Sequence, residues 1–481
     1  MTATTTTKLN IPSDALTGIG DKQKWRILAV ISIIQFILLL DATIVNVALP
    51  AIKSDLVLTD ASLTWIVNTY YIAAGSLLLF GGKLGDAFGI RKIFMFGIAI
   101  FGAFSFLAAI APNANLLILG RAGQGLGEAF AAATGLAMVS LMFPSGPDRA
   151  KAFSIWAALG GIGSIVGVLL SGAITQYLSW RWVFGINVPL IVVLMLTALA
   201  IVPSFPRNAG TRLDFFNALC VVAGVFLMVI GIIGTGIETQ TALRVGLAIA
   251  GAMLIALILM RCRKHENGII PARLMRGSPR FLGYLIILVQ ASTSGALFYL
   301  GVLHLQGGLG MTPMQTGLAW LPFCFGFFPG IFLAQAISQK HSPKHAALVG
   351  LLISGAGFTF FAWAVNLDSY WLGMFPAMLV TSVGFGCVAP VAQSLATVEL
   401  SEADAGAGAG ITITIQQLSQ VAGITLFVAV ALANSGTDKT NIAVGGYVIA
   451  YAIAAVAMFA TAVVVARSRS ADAVSATDLN G

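Results

Sequence analysis

ILAVISIIQFILLLDATIVNVALP, residues 27–50, decides the fold, because a single carboxylate, Asp41, stands inside an otherwise uncharged apolar run. A helix rises ~1.5 Å per residue, so ~20 apolar residues cross the hydrocarbon layer of a bilayer. The run therefore reads as a membrane-spanning helix. It exceeds the ~7–15-residue core of a signal peptide and carries a charge, so it is expected to stay on the chain. Counted from Arg26, Asp41 lies roughly 22 Å in, well inside the bilayer. A carboxylate at that depth costs at least ~2.5 kcal/mol on insertion scales, and such residues mark ion or substrate pathways by default. The competing reading is a structural aspartate that caps or bonds a neighbouring helix.

Composition extends this reading to the whole chain. Of 481 residues, 58% are hydrophobic and 9% charged, where a soluble domain carries about 25% charged residues. The chain is thus expected to be an all-α polytopic membrane protein. Cys220, Cys262, Cys324 and Cys387 are scattered without metal-ligand spacing and read as small core residues. Further apolar runs cover residues 62–81, 93–111, 117–142, 153–175, 182–202, 215–236, 243–260, 281–304, 316–338, 346–365, 371–395, 407–433 and 446–466. With the first they make fourteen spans. An even number places both termini on one side.

Basic residues orient the spans. Lys53, Arg181, Arg244 and Lys439 fall in the alternate loops and Arg121 lies within a span. The rest of the 26 Lys and Arg gather on the side of the N-terminus. Cytoplasmic loops carry the positive excess, so both termini are expected in the cytoplasm and the protein in the plasma membrane. The net charge of +8 follows from this topology, and no nucleic-acid binding is read from it. Arg261, Arg263, Lys264, Arg273, Arg276 and Arg280 cluster before the ninth span, where an anionic inner leaflet would hold them.

The chain divides into a tail (1–26), six spans (27–202), two additional spans (203–260), a basic loop (261–280), six spans (281–466) and a second tail (467–481). Two six-helix bundles facing each other across a mid-membrane cavity are a transporter plan. The internal repeat is faint: the stretch Gly82 to Lys92 has only a degenerate counterpart near Ile337 to His345.

Gly82-Lys83-Leu84-Gly85-Asp86-Ala87-Phe88-Gly89-Ile90-Arg91-Lys92 joins the second and third spans on the inner side. Glycines serve a tight reversal, while an acid and adjacent bases at helix ends can clamp a neighbouring element. The stretch resembles the signature loop of the major facilitator superfamily at Gly82, Leu84, Asp86, Gly89 and Arg91. It departs at Ala87 and Ile90, where that family usually has basic residues. Three more stretches resemble its fourteen-helix drug:proton antiporter branch: Leu40 to Pro50; Leu117 to Ala129 with Arg121, Gln124, Gly125 and Gly127; and Ser179-Trp180-Arg181-Trp182 with Phe184, Asn187 and Pro189. The resemblance covers nearly the whole chain. It implies two six-helix bundles with two extra central helices, multidrug efflux by proton antiport in the cell membrane, and antibiotic resistance.

The fourth span can be read without that resemblance. Running inward, it places Arg121 at a depth matching that of Asp41, so the two can pair if their helices are neighbours. Gln124 follows at i+3 and Glu128 at i+7, on the same helical face. Two acids and one base on facing spans are the parts of a proton site. Glu128, roughly 10 Å deeper, is expected to take up a proton, and Asp41 to exchange one as its contact with Arg121 opens and closes. Two alternatives stay open: Arg121 as a structural group bonding backbone carbonyls, and Glu128 as the recognition group for a cationic substrate.

In the fifth span, Gly160, Gly161, Gly163, Gly167, Ser171 and Gly172 include small residues every fourth position, where another helix can approach closely. The antiporter branch has a Gly-Pro pair there; this chain has Gly167-Val168. Arg91 and Lys92 are expected to meet Glu399, Glu402 and Asp404 when the protein faces outward, with Asp86 capping the thirteenth span. Cavity-lining candidates are Asn68, Tyr70 and Tyr71, Gln124, Gln290, Gln393, Gln416, Gln417 and Gln420. Trp180 and Trp182 suit the outer aromatic belt.

These features predict a monomeric secondary transporter without cofactor, exporting small hydrophobic or cationic molecules by alternating access. The proton gradient supplies the energy: one charge crossing 100 mV gives ~2.3 kcal/mol, enough for roughly a fifty-fold gradient. The alternative is proton-coupled import of a small nutrient. His265, His304, His341 and His345 form no metal or nucleophile set with the membrane carboxylates. No Gly-Lys-Ser/Thr nucleotide loop occurs. Neither an enzyme nor an ATP-driven pump is therefore expected.

Overall fold

Where no water reaches, each backbone N–H and C=O has to be satisfied within its own segment, so apolar runs become helices. The computed structural model describes residues 20–143, 146–205, 214–233, 241–264, 278–398, 405–435 and 442–468, and no strand occurs among them. The helices are α1 (Asp21–Asp55), α2 (Asp60–Phe88), α3 (Ile90–Ala109), α4 (Ala114–Met142), α5 (Pro147–Tyr177), α6 (Arg181–Gly185), α7 (Asn187–Ile201), α8 (Phe215–Ile233) and α9 (Thr241–Lys264). They continue with α10 (Ser278–Leu303), α11 (Pro313–Ala319), α12 (Leu321–Lys340), α13 (Pro343–Ala364), α14 (Phe375–Thr397), α15 (Ala405–Ala433) and α16 (Val444–Arg467). π-helical turns end the ninth span (His304–Gly308) and open the twelfth (Tyr370–Met374).

Among the described residues, thirteen helical segments are long and apolar enough to cross a membrane, and the shorter apolar stretch Ala242–Ile258 of α9 stands where the eighth span was expected. The sixth span is broken into α6 and α7, and the tenth into α11 and α12. Local chemistry sets several starts. Thr59 and Asn113 cap α2 and α4 by accepting the amides of Ser62 and Leu116. Thr312 and Gln315 form a reciprocal capping box at α11.

The turn between α2 and α3 is shorter than the sequence suggested. Residues 82–88, expected in a connecting loop, are the helical end of α2. The reversal falls on Gly89 alone, whose φ of +105° belongs to a region that L side chains avoid.

Packing follows the small-residue faces. α5 lies on α1, where a Cβ at Gly163 would strike the Phe36 carbonyl and one at Gly167 would strike Leu40 O and Thr43 Oγ1. Ser171 donates to Ile44 O and Thr43 to Ser164 O along the same seam. α4 packs between α2 and α3; among the last helices, α14 packs against α12 and α13, and α10 against α15. The two groups meet along α2 with α15, α5 with α11, and α1 with α10. The α8–α9 pair sits beside that junction, α8 touching α2 and α15, with Phe215 against Phe80 at 4.8 Å and Phe226 against Trp65 at 5.4 Å.

Candidate functional site

The first expected pair is in contact. Arg121 Nη1 on α4 donates to Asp41 Oδ2 on α1 at 2.6 Å, with side chains 1% and 0% exposed. The same Nη1 reaches Gln124 Oε1 at 2.9 Å, and Nε donates to Ile66 O on α2 at 3.1 Å. Gln124 Nε2 donates to Asp41 Oδ1 at 2.9 Å and to Ser105 Oγ on α3 at 2.8 Å. Asn187 Nδ2, at the head of α7, supplies a further bond to Asp41 Oδ1 at 2.6 Å. The guanidinium lies 3.9 Å from the centroid of the Tyr70 ring. Arg121 thus bonds a carboxylate and a backbone carbonyl at once, so the charged and the structural readings describe one network.

Asn187 was legible only as a motif residue. Its cause is the break in the sixth span: Ile186 links α6 to α7, and Pro189 follows in the first turn, where the missing N–H is harmless. A polar residue at an interrupted span is the signal that points to it.

Glu128 belongs to a different contact. Its Oε1 accepts Gln417 Nε2 on α15 at 2.8 Å, so it bridges the first group of helices to the last. The Tyr70 hydroxyl of α2 stands against the same carboxyl, and Gln417 Oε1 has no hydrogen-bond partner among the described residues. The structure brings Asp41, Arg121 and Gln124 together and sets Glu128 two turns farther along α4, at the seam.

Of the other cavity candidates, Asn68 Nδ2 donates to Thr425 Oγ1 across the seam at 3.1 Å, and Tyr71 packs edge-on against Tyr70. Gln124 belongs to the ion-pair network and is fully buried rather than lining a passage. Gln290 donates to Phe385 O at 3.0 Å within the last group. Gln393 is exposed on α14. Trp180 is a correction: it is 4% exposed, and its indole N–H donates to Asp55 at 3.0 Å, so it packs inside while Trp182 faces outward.

The expected gating set is only partly described. Gly82 and Asp86 sit in the last turns of α2, and Arg91 Nη2 donates to Leu199 O of α7 at 2.8 Å, within the first group. Lys92 is exposed beside it. Glu399, Glu402 and Asp404 lie outside the described residues.

A fastening at the opposite end was not anticipated. Asp60, 3% exposed, accepts Lys53 Nζ at 2.5 Å and the Ile442 amide, ahead of α16, at 2.9 Å. Its own carbonyl accepts Tyr299 Oη of α10 at 3.0 Å. Gln306 donates to Val47 O at 2.8 Å, and the Met314 amide to Gln176 Oε1 at 3.0 Å, also between the groups. In sequence Asp60 reads as a solvated loop charge; the only hint was its place just after the capping Thr59.

The Major Facilitator Superfamily profile matches residues 31–424. A puromycin resistance protein of Streptomyces alboniger is 31% identical over 458 residues, covering 92% of this chain and 91% of its own length. A cephamycin export protein of Amycolatopsis lactamdurans is 32% identical over 417 residues, 84% of each chain. Among solved structures, an auto-inhibited peptide transporter of the POT family superposes with a TM-score of 0.66 at 17% identity, covering 92% of this chain and 97% of that one.

Proposed function

Since the chain belongs to the Major Facilitator Superfamily, and is a multi-pass membrane transporter of a small molecule rather than an enzyme, we propose that it exports hydrophobic or cationic drug-like molecules in exchange for protons. The observation that carries this is the Glu128–Gln417 bond beside the Asp41–Arg121 pair: ionisable groups of one bundle reach a polar contact on the other. A change of charge at Glu128 changes the strength of a bond between the bundles, as coupled transport requires. Similarity to proteins named for puromycin resistance and cephamycin export supports the export of antibiotics. The positive-inside rule supports a plasma-membrane protein with cytoplasmic termini. Nothing in the mechanism needs a second copy or a cofactor.

The test is transport by everted vesicles under an imposed pH gradient, across a panel of dyes and antibiotics. Glu128→Gln is expected to abolish gradient-driven uptake while leaving protein level unchanged, because glutamine keeps the shape and the Gln417 contact but cannot exchange a proton. Uptake at parental rate would sink the proton role. Protons moving in the same direction as substrate would replace export by nutrient import.

Alternating access assigns the Asp60 cluster the role of a gate that has to part when that end opens. Asp60→Asn removes the charge from its bonds to Lys53 and Ile442, each charge-assisted contact being worth about 1.5–3 kcal/mol. The cysteine pair Gln176→Cys/Met314→Cys, placed across the same closure, is expected to crosslink about ten-fold less in the Asp60→Asn background. Unchanged crosslinking would mean that Asp60 does not hold this end shut.

A further inference from the structure

His304 is a buried titratable group to which the transport reading gives no task. It opens the π-helical turn that ends the ninth span, is 3% exposed, and neither ring nitrogen has a hydrogen-bond partner among the described residues. A neutral imidazole carries one donor and one acceptor, so both capacities are idle. Single π-turns are frequent at functional sites. The ring also sits inside the closure between the two groups of helices. Two residues on, Gln306 donates to Val47 O of α1, and the ring itself lies edge-on to Tyr447 of α16 at 5.3 Å. A Cβ at Gly308 would strike Nδ1, so the turn folds tightly over the imidazole.

A charged imidazole finds no free acceptor in that position. α11 brings no titratable side chain, Tyr299 of α10 is bonded to Asp60 O, and Tyr451, one turn beyond Tyr447, packs against Phe361. Asp60 acts electrostatically on Tyr447, but its carboxylate already holds Lys53 of α1 and the Ile442 amide. Asp55, the other carboxylate at this end of α1, holds Arg181. That leaves Asp368, just ahead of the twelfth span, which is exposed and near enough for its charge to act on the ring. Burying an unpaired charge is so costly that either the proton leaves or the structure moves.

We propose that His304 is the group through which this end of the transporter takes up protons: neutral, it lets the bundles close over it; protonated, it is released toward Asp368 and keeps that end open until the proton leaves. The inference rests on the antiport reading for the side from which protons arrive, since this end lies opposite the chain termini. Closure is then complete above the imidazole range and is lost as pH falls through it. A water-exposed imidazole titrates near ~6.5, so between pH 8 and pH 5.5 the closing equilibrium drops about ten-fold.

The experiment uses purified full-length protein carrying the cysteine pair Gln176→Cys/Met314→Cys, whose parent residues are hydrogen-bonded across the same closure. Initial crosslinking rates are read at both pH values with His304 present and with His304→Gln, and the ratio of the two cancels the thiols' own pH dependence. That ratio is expected to fall about ten-fold from pH 8 to pH 5.5. Asp368→Asn, which removes the partner of the open form, is expected to keep the pH 8 value and shrink the fall to about three-fold. A ratio that does not change with pH overturns the proposal, and so does an undiminished fall in Asp368→Asn. Should His304→Gln fail to fold, Asp368→Asn compared directly with the parent decides: equal falls overturn it. Proton counter-flow during transport is read separately. Substrate moving without it, while the ratio still falls, would sink the antiport reading and keep the pH-dependent closure.

Discussion

Arg121→Met is expected to destabilise the protein by about 3–5 kcal/mol, the cost of leaving a buried carboxylate without its cation. Asp41 would then face only the amides of Gln124 and Asn187, while Ile66 O loses its side-chain donor. Asp41→Asn is expected to cost a similar amount, since Arg121 would keep its charge among Tyr70, Phe184 and backbone. The double variant Asp41→Asn/Arg121→Met removes both charges together. It should unfold clearly closer to the parent than the sum of the singles predicts, because residues in one network do not act additively. Thermal unfolding in detergent measures all three. Gradient-driven transport in the double variant separates the roles. A well-folded but inactive protein assigns the pair to the cycle, and one that transports at parental rate makes it a scaffold.

Gly423→Val is expected to have an effect of comparable size through packing alone. A Cβ at Gly423 on α15 would strike the Ser292 carbonyl of α10, its carbon and its Cα, all main-chain atoms that cannot rotate away. The crossing is also hydrogen-bonded, Ser292 Oγ donating to Ser419 O at 2.9 Å. Ordinary overpacking costs about 1–3 kcal/mol where side chains can shift; here the helices themselves have to separate. The variant should fail to give a monodisperse species after solubilisation. Gly161→Ala, where a Cβ meets nothing within 4 Å, should behave as the parent. Normal behaviour of Gly423→Val would mean that the α10–α15 crossing is looser than its geometry.

Membrane spans were legible because hydropathy reads burial in lipid directly, and helix is the outcome that lipid permits. Asp41, Arg121 and Gln124 were legible because a charge in an apolar run has few explanations, and matched depth already suggested a pair. Asn187 and Asp60 were harder for opposite reasons. An asparagine carries no charge to stand out, and an aspartate between two spans looks like any loop residue until a distant amide, Ile442, arrives on it. Trp180 was misread because position near a membrane boundary does not say whether a ring faces lipid or Asp55. Contacts between distant helices are set by three-dimensional packing, which a linear pattern does not contain.

The two acids of the first bundle differ in what they can communicate. Among the described residues, the side chains bonded to Asp41 come from α4 and α7, so its state reports only on the bundle that contains it. Glu128 answers to the other body through Gln417. Arg121, Gln124 and Glu128 share one stripe of α4, and α4 is tied into α2 and α3 along that length. In the proposed exchange, an event at Asp41 would reach the seam as a displacement of this one rod, so that stiffness in α4, more than proximity between the acids, would set how faithfully the message arrives.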